Sequence, residues 1–179
     1  MLPAGPLMME HRLIEHMISV ISRELKRIKQ NKVIDVNFID TMVDFIRIYA
    51  DKCHHGKEED ILFRDLAKKR LSQEHKKTME ELIQEHVYGR NTVAKLVETR
   101  KQYQEGKQEV LEEIVKYIEA LVEFYPKHID KEDNRFFLPA MDYFTKDELD
   151  TMLREMWEFD KKMIHKKYRE VVDKLEVQG

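Results

Sequence analysis

Apolar residues recur at helical spacing along nearly the whole chain, and this pattern limits the possible folds more than any other feature. In the first segment one apolar stripe comprises Leu7, Ile14, Ile18, Ile21, Leu25 and Ile28. The alternation of apolar and polar residues that is typical of strands is missing from the sequence. Glycine and proline, which interrupt helices, occur only five and four times in 179 residues. The chain is therefore predicted to be all-α.

The breaks between the apolar stripes divide the chain into five predicted helices. Their approximate bounds are 7–30, 38–69, 72–105, 108–137 and 145–175. Ser72 is a suitable N-cap, and residues 145–148 form a capping box. Gly106 and Pro139 are expected to end the third and fourth helices. The whole chain fits a single domain: an antiparallel up-down four-helix bundle over about 7–140, with the fifth helix against its outside or one end.

Charge and cysteine content bear on the partners and the compartment. The 32 lysines and arginines against 35 aspartates and glutamates leave a net charge of -3, which does not favour nucleic acid or an anionic membrane as a partner. No apolar run approaches the roughly 20 residues of a membrane span, and the first residues lack the pattern of a secretory signal. The single cysteine, Cys53, fits a reducing compartment. We expect a cytoplasmic protein that binds neither nucleic acid nor membrane.

Three histidines fall on the apolar faces of three different predicted helices. His11 and His86 each stand four residues after a leucine, and His128 stands seven residues after one. Glu132 extends the face of His128 by one turn. A buried histidine is ordinarily a hydrogen-bonded core residue, but a buried carboxylate beside a buried imidazole is costly unless something pairs with both. Together these residues favour a metal site inside the bundle.

Two segments of the chain resemble each other and add a matching set from the second helix. Residues 54–63 and 128–137 share the pattern His-x-x-Lys-Glu-acid-x-x-apolar-Phe. The four-residue spacing places histidine and glutamate side by side on one helical face, where both can bind a metal pair. The alignment of the two segments selects His54 and Glu58 as the counterparts of the second histidine and glutamate.

The helical face of the second helix supports a different register. On a straight helix, Phe45 and Ile48 share a face with His55 and Glu59, one residue beyond the aligned pair. A glycine at position 56 allows a local distortion within the repeat. We therefore predict the register given by the alignment, with His55 and Glu59 as the alternative register.

The order and spacing of these residues resemble the hemerythrin-like, or HHE cation-binding, family over about 7–140. The motifs that carry the resemblance are Glu10-His11-Arg12, the two repeats, and Glu85-His86 with Gly89-Arg90. The resemblance implies a four-helix bundle that holds two non-haem iron ions joined by an oxo or hydroxo bridge. The metal ligands that it implies are His11, His54, Glu58, His86, His128 and Glu132, with the two glutamates bridging the irons.

The number of histidines bears on the chemistry. Two bridging carboxylates and two imidazoles for each ion leave positions for a small diatomic or peroxide ligand, and such a ligand set also suits manganese or zinc. The oxygen-carrying hemerythrins have a second histidine four residues from the one on the third helix, which makes five. Here Leu82 and Arg90 hold the positions four residues from His86. We therefore expect reactive, sensing or repair chemistry in preference to reversible oxygen transport.

These observations lead to one predicted function and three alternatives. We expect a non-haem di-iron protein that binds or reacts with dioxygen, nitric oxide or peroxide in sensing or stress response, with a redox partner or a second copy of the chain as possible macromolecular partners. The alternatives are iron storage or buffering, repair of damaged iron centres, and a structural helical interaction module with incidental metal binding. A ferritin-type centre fits less well, because its motif is Glu-x-x-His.

Overall fold

A computed structural model describes the backbone of residues 1–178 and the side chains of 1–163 and Lys167, so the side chain of His165 lies outside the described part. Over this range the chain is entirely helical and contains no strand. Five continuous helical rods are present: α1 (Ala4–Asn31), α2 (36–66), α3 (Gln73–Gln104), α4 (108–141) and α5 (Lys146–Gln178). The first four form a helical bundle and α5 packs beside it, which confirms the predicted fold class.

The ends of the helices follow the sequence signals closely. The Ser72 hydroxyl accepts a hydrogen bond from the backbone N–H of His75 at 3.1 Å, and so caps α3 as predicted. Gly106, with a φ of 98°, turns the chain after α3. The backbone N–H of Thr145 donates to the Glu148 carboxylate at 2.8 Å, which confirms the capping box at the start of α5.

Two of the rods contain π-helical stretches, and these coincide with the two repeats. The segments of α2 are Val36–Phe45 (α), Ile46–His55 (π), Glu58–Phe63 (π) and Arg64–Leu66 (α). The segments of α4 are Gln108–Val110 (3-10), Leu111–Lys131 (α), Glu132–Phe136 (π) and Phe137–Met141 (α). The prediction that Pro139 ends the fourth helix is wrong, because the helix continues through Pro139 to Met141. Pro139 lies in the first turn after the π stretch, where a missing backbone N–H is tolerated.

The bundle has two hydrophobic cores with a polar layer between them. Core 1 includes Ile18, Ile21, Met42, Val93 and Ile118. Core 2 includes Leu7, Leu62, Leu82, Phe136 and Met156. The histidines and glutamates singled out above lie where the two sets meet along each of the four bundle helices. Burial of each large apolar side chain contributes about 1.5–3 kcal/mol, and this offsets the cost of a dehydrated polar layer.

The fifth helix packs on the side of α2, next to the first repeat. Met152 and Met156 of α5 are buried in core 2. Phe159 lies against Gly56, with its ring carbon 2.8 Å from the position that a Cβ atom would take there. The absence of a side chain at position 56 is what allows α5 to approach this closely. Among the described residues, the helices lack any stretch long and apolar enough to cross a bilayer.

Candidate metal centre

Seven buried histidines and glutamates in the polar layer form two adjoining groups. We call His11, His54, Glu58 and Glu132 the two-histidine group, and His55, His86 and His128 the three-histidine group. Within each group, one possible ligand atom from every residue lies within 4.8 Å of all the others. None of the seven residues is more than 3% exposed. All six residues that the sequence predicted as ligands therefore come together, and His55 joins them.

Glu58 faces both groups with different oxygens. Its Oε1 lies 3.1 Å from Nε2 of His54, in the two-histidine group. Its Oε2 lies 3.1 Å from Nε2 of His86, in the three-histidine group. One carboxylate therefore spans the space between the two groups, which is the arrangement needed to bridge two metal ions.

Glu132, the matching residue of the second repeat, spans the same space from α4. Its Oε2 lies 3.2 Å from Nε2 of His11, and its Oε1 lies 3.3 Å from Nε2 of His128. The two repeats thus contribute one carboxylate each that spans the two groups, from opposite helices. This pairing is the structural counterpart of the sequence repeat.

Most of the inward-facing nitrogen and oxygen atoms of the layer lack a hydrogen-bond partner, and a bound cation would supply one. Both oxygens of Glu58 and Glu132 are buried without a hydrogen bond of normal geometry, as are Nε2 of His86 and Nε2 of His128. The Nε2 atoms of His11 and His54 lie only 2.8 Å apart. Buried polar atoms ordinarily have partners. Imidazole nitrogens and carboxylate oxygens converging in this way suit a divalent metal pair.

An outer ring of five carboxylates fixes the orientation of the histidines. Nδ1 of each of the five faces one of them: His11 with Asp133 (2.6 Å), His54 with Glu10 (2.8 Å), His55 with Asp51 (3.4 Å), His86 with Glu59 (2.6 Å) and His128 with Glu85 (2.8 Å). Each carboxylate is paired in turn with a cation: Asp133 with Arg12, Glu10 with Lys57, Glu59 and Asp51 with Arg90, and Glu85 with Lys131. In the four hydrogen-bonded pairs, the contact places the ring proton on Nδ1 and turns Nε2 toward the interior of the layer, whereas Nδ1 of His55 has no hydrogen bond of normal geometry.

The carboxylates also determine the protonation of the metal-free site. Burial alone lowers the pKa of His54, but the charge of Glu58 and the hydrogen bond to Glu10 raise that pKa to about 10. Burial likewise lowers the pKa of His86, yet the Glu132 and Glu58 carboxylates that face its ring raise it to about 11. His55 behaves oppositely, since burial and the charge of His86 lower its pKa to about 4. A cation that bound these rings would therefore displace a proton from His54 and another from His86.

The two registers proposed for the second helix are not alternatives, because both histidines face the site. His54 belongs to the two-histidine group and His55 to the three-histidine group. The π-helical stretch Ile46–His55 explains this, since a π turn contains more residues than an α turn and consecutive side chains diverge less around the axis. Glu59 belongs to neither group and hydrogen-bonds Nδ1 of His86. The straight-helix calculation identified His55, and the repeat alignment identified His54.

The structure adds a fifth inward histidine, His55, to the four histidines of the implied ligand set. The fifth comes from α2 instead of α3, and its ring stacks on that of His86 with 3.9 Å between the ring centroids. Leu82 and Arg90 stand four residues before and after His86 on α3, so neither of those positions holds a histidine. The space beside His86 is instead filled from α2 by His55. The number of inward histidines therefore does not distinguish reactive chemistry from reversible oxygen transport.

A cavity of about 230 Å³ adjoins the three-histidine group. It is lined by His55 and His86 together with Ile46, Arg47, Asp51, Gly89, Arg90, Val93 and Tyr125. The Arg90 guanidinium Nε donates to the Asp51 carboxylate at 2.7 Å on this lining. One water takes about 30 Å³ of liquid volume, so the cavity has room for a diatomic molecule or a few waters next to the histidines.

A third cluster of possible ligands already contains a cation. Glu10, Cys53 and Asp160 lie close enough to hold an ion, but the ammonium of Lys57 donates to both carboxylates. Burial is the largest cause that raises the pKa of the Cys53 thiol, to about 12, so it remains protonated. This cluster is an ion-pair network, and the thiol does not serve the metal centre.

The comparisons with known proteins agree with the geometry. The family model described as the hemerythrin HHE cation binding domain matches residues 3–140, which include all seven inward residues and leave α5 outside. No curated protein and no solved structure gives a significant match to the chain. Because the family model covers more than three quarters of its length, the chain belongs to the hemerythrin HHE cation binding domain family.

Proposed function

We propose that the polar layer holds two non-haem iron ions and that the protein binds or reacts with a small oxidant (dioxygen, nitric oxide or peroxide) in sensing or stress response. The observation that carries the proposal is the pair of glutamates, Glu58 and Glu132, each of which presents its two oxygens to different histidine groups. A single metal ion would not require two carboxylates arranged in this way. Iron bound there would supply redox chemistry and open coordination positions.

The donor set supports iron over softer metals. Five imidazoles and two carboxylates suit iron, manganese or zinc, while copper(I) prefers thiolate or thioether ligands. The only thiol, Cys53, lies in the separate ion-pair network with Asp160. Iron is the metal that the family resemblance implies, and manganese or zinc are the competitors that metal analysis must exclude.

The two metal positions differ in the number of ligand atoms that surround them. The three-histidine group offers three nitrogens and one oxygen from each glutamate, whereas the two-histidine group offers two nitrogens and the other two oxygens. An ion with six coordination positions therefore has one more of them free on the two-histidine side. The adjoining cavity provides space for a small molecule beside the other group.

The surrounding residues of the chain exclude water from this arrangement and pair its outer carboxylates with cations. The outer carboxylates keep the ring protons on Nδ1, and the paired cations reduce the cost of burying those carboxylates. Core 1 and core 2 exclude bulk water from above and below the layer. Exclusion of water strengthens every electrostatic contact within the site.

Reversible oxygen binding is the second candidate, and His55 is the observation that favours it. With His55 the chain has five inward imidazoles, the number that the resemblance associates with oxygen carriers. The two candidates differ in their response to oxygen. A reactive or sensing centre oxidises and remains oxidised, whereas a carrier regains its original spectrum when oxygen is withdrawn.

One experiment tests both the centre and the choice between candidates. The protein is reconstituted anaerobically with ferrous iron, desalted and analysed for metal, and its absorbance is monitored as oxygen is admitted and then removed. We expect about two irons per chain, as in two-metal sites generally. A change in absorbance that persists after oxygen is removed supports reaction or sensing. Full recovery of the starting spectrum under vacuum supports a carrier. A chain that retains no iron overturns the proposal.

A further inference from the structure

Lys57 is a lysine with no exposed surface, and it is paired with carboxylates from two different helices. Its Nζ donates to Glu10 on α1 and, at 2.6 Å, to Asp160 on α5. Fully buried lysines are rare unless they are paired, because the ammonium loses its hydration. Lys57 is also the residue next to Glu58, so this buried ion-pair network lies directly against the candidate metal centre.

The network reaches a candidate ligand through Glu10. One oxygen of Glu10 pairs with Lys57, and the other, Oε2, accepts from Nδ1 of His54 at 2.8 Å. The contacts form a chain in the order Asp160, Lys57, Glu10 and His54. The second repeat contains the same inner links, since Lys131 holds Glu85, which holds Nδ1 of His128. Only the first repeat has its lysine enclosed by a fifth helix.

We propose that Asp160 is a positioning residue for the two-histidine group, acting on His54 through Lys57 and Glu10. The inference rests on the proposed metal function and deepens it, because it assigns a role in the centre to α5, the helix outside the family match. With Asp160 in place, the buried ammonium has two carboxylates and stays beside Glu10. Glu10 is then held in line with Nδ1 of His54.

Loss of Asp160 should disturb the orientation of Glu10 for an electrostatic reason. A buried ammonium with one remaining carboxylate and no water seeks more hydration, and its movement carries Glu10 with it. His54 would then lose the partner that fixes its tautomer and orients Nε2. The contact of Phe159 with Gly56 fixes the position of α5 along α2. This position places Asp160 next to Lys57.

The test is a competitive titration of the metal-free full-length protein with cobalt(II) in the presence of a chelator, which resolves the two metal-binding steps. Loss of a direct histidine partner typically costs 10–100-fold in metal affinity. Asp160 is two contacts further from His54 than Glu10 is, so we expect Asp160→Asn to weaken metal affinity by about 3- to 10-fold. The loss should be confined to the step that His11→Ala removes. Glu81→Gln is the matched control, since Glu81 contacts Lys131 at 3.1 Å in the second repeat, and it should leave both steps unchanged.

A double-mutant cycle with Lys57→Met separates positioning from a general loss of stability. If Asp160 acts through Lys57, Asp160→Asn should have little further effect on metal affinity in the Lys57→Met background. Equal weakening of both steps, additive effects, or no effect of Asp160→Asn would each overturn the inference. Wild-type protein that binds no cobalt would instead overturn the metal function itself, so the two failures are distinguishable.

Discussion

The two repeats, 54–63 on α2 and 128–137 on α4, contribute equivalent parts to the polar layer but are completed differently. In both, a π-helical stretch carries the glutamate, and the lysine before it holds the carboxylate that faces the histidine ring. The residue after the histidine is His55 in the first repeat and Ile129 in the second. His55 joins the three-histidine group, whereas Ile129 packs in core 1.

This difference shows how a nearly symmetric motif produces an asymmetric centre. The two glutamates are alike, and each faces both histidine groups, which would be equivalent if the repeats were identical. The imidazole of His55 adds a nitrogen to one position only, and α5 covers the lysine of the same repeat. Lys57 has no exposed surface, while Lys131 is 24% exposed and also reaches Glu81 on α3. The asymmetry therefore comes from one side chain and one extra helix.

The largest effect is expected where the repeats are most alike. Glu58→Ala and Glu132→Ala each remove a carboxylate that faces both groups, so each should lower iron content from about two ions per chain to nearly none. Metal analysis after anaerobic reconstitution measures this. Glu59→Ala, which removes the neighbouring carboxylate but no inward-facing atom, should retain both ions with weaker binding. Survival of both ions in either bridging variant would contradict the two-metal arrangement.

The next effect tests the position at which the repeats differ. His55→Ile makes the first repeat match the second and removes one nitrogen from the three-histidine group. We expect one cobalt-binding step to weaken by at least about 100-fold, while the other step changes little. His16→Ala, at an exposed position on α1, is the control and should change neither step. If His55→Ile left both steps intact, His55 would be a core residue and the site would have four histidines.

The two lysines provide a comparison of stability. Lys57→Met leaves the mostly buried Glu10 carboxylate without its cation, and this should lower the free energy of unfolding of the metal-free protein by about 3 kcal/mol. Lys131→Met acts at a partly exposed pair and should cost under about 1 kcal/mol. Urea unfolding monitored by circular dichroism measures both. Equal losses would mean that α5 does not isolate the first repeat from water.

The smallest expected effect is the release of protons on metal binding, with one proton from each histidine group. The pKa values of about 10 for His54 and about 11 for His86 mean that both rings are protonated at pH 8 without metal, whereas His55, at about 4, is neutral. Only neutral imidazole binds metal, so binding should release about two protons, and the apparent affinity should rise with pH until those pKa values are passed. An indicator dye in weak buffer reports the release. An affinity independent of pH between 6 and 9, a range of about three units around neutrality, would contradict these shifts.

Much of the fold could be predicted from the chain itself because helical periodicity and capping are local properties. The stripe through Leu7 and Ile14 predicts which side of α1 is buried, and it carries His11 inward with it. The signals at Ser72 and Thr145 act within one turn, so they predict the helix starts correctly. The repeat made Glu58 and Glu132 recognisable as a pair before any packing was known.

Other features depended on how the helices meet. The carboxylates at positions 10, 51, 59, 85 and 133 look like ordinary charged residues in the sequence, yet each lies against a histidine on another helix or, for position 51, one turn away. The joint use of His54 and His55 required the π-helical stretch of α2, which no local pattern beyond Gly56 indicates. The role of α5 required its docking over Lys57. Periodicity determines the buried side of a helix, but the partners of that side depend on rotation and height relative to neighbouring helices, which only the packed structure decides.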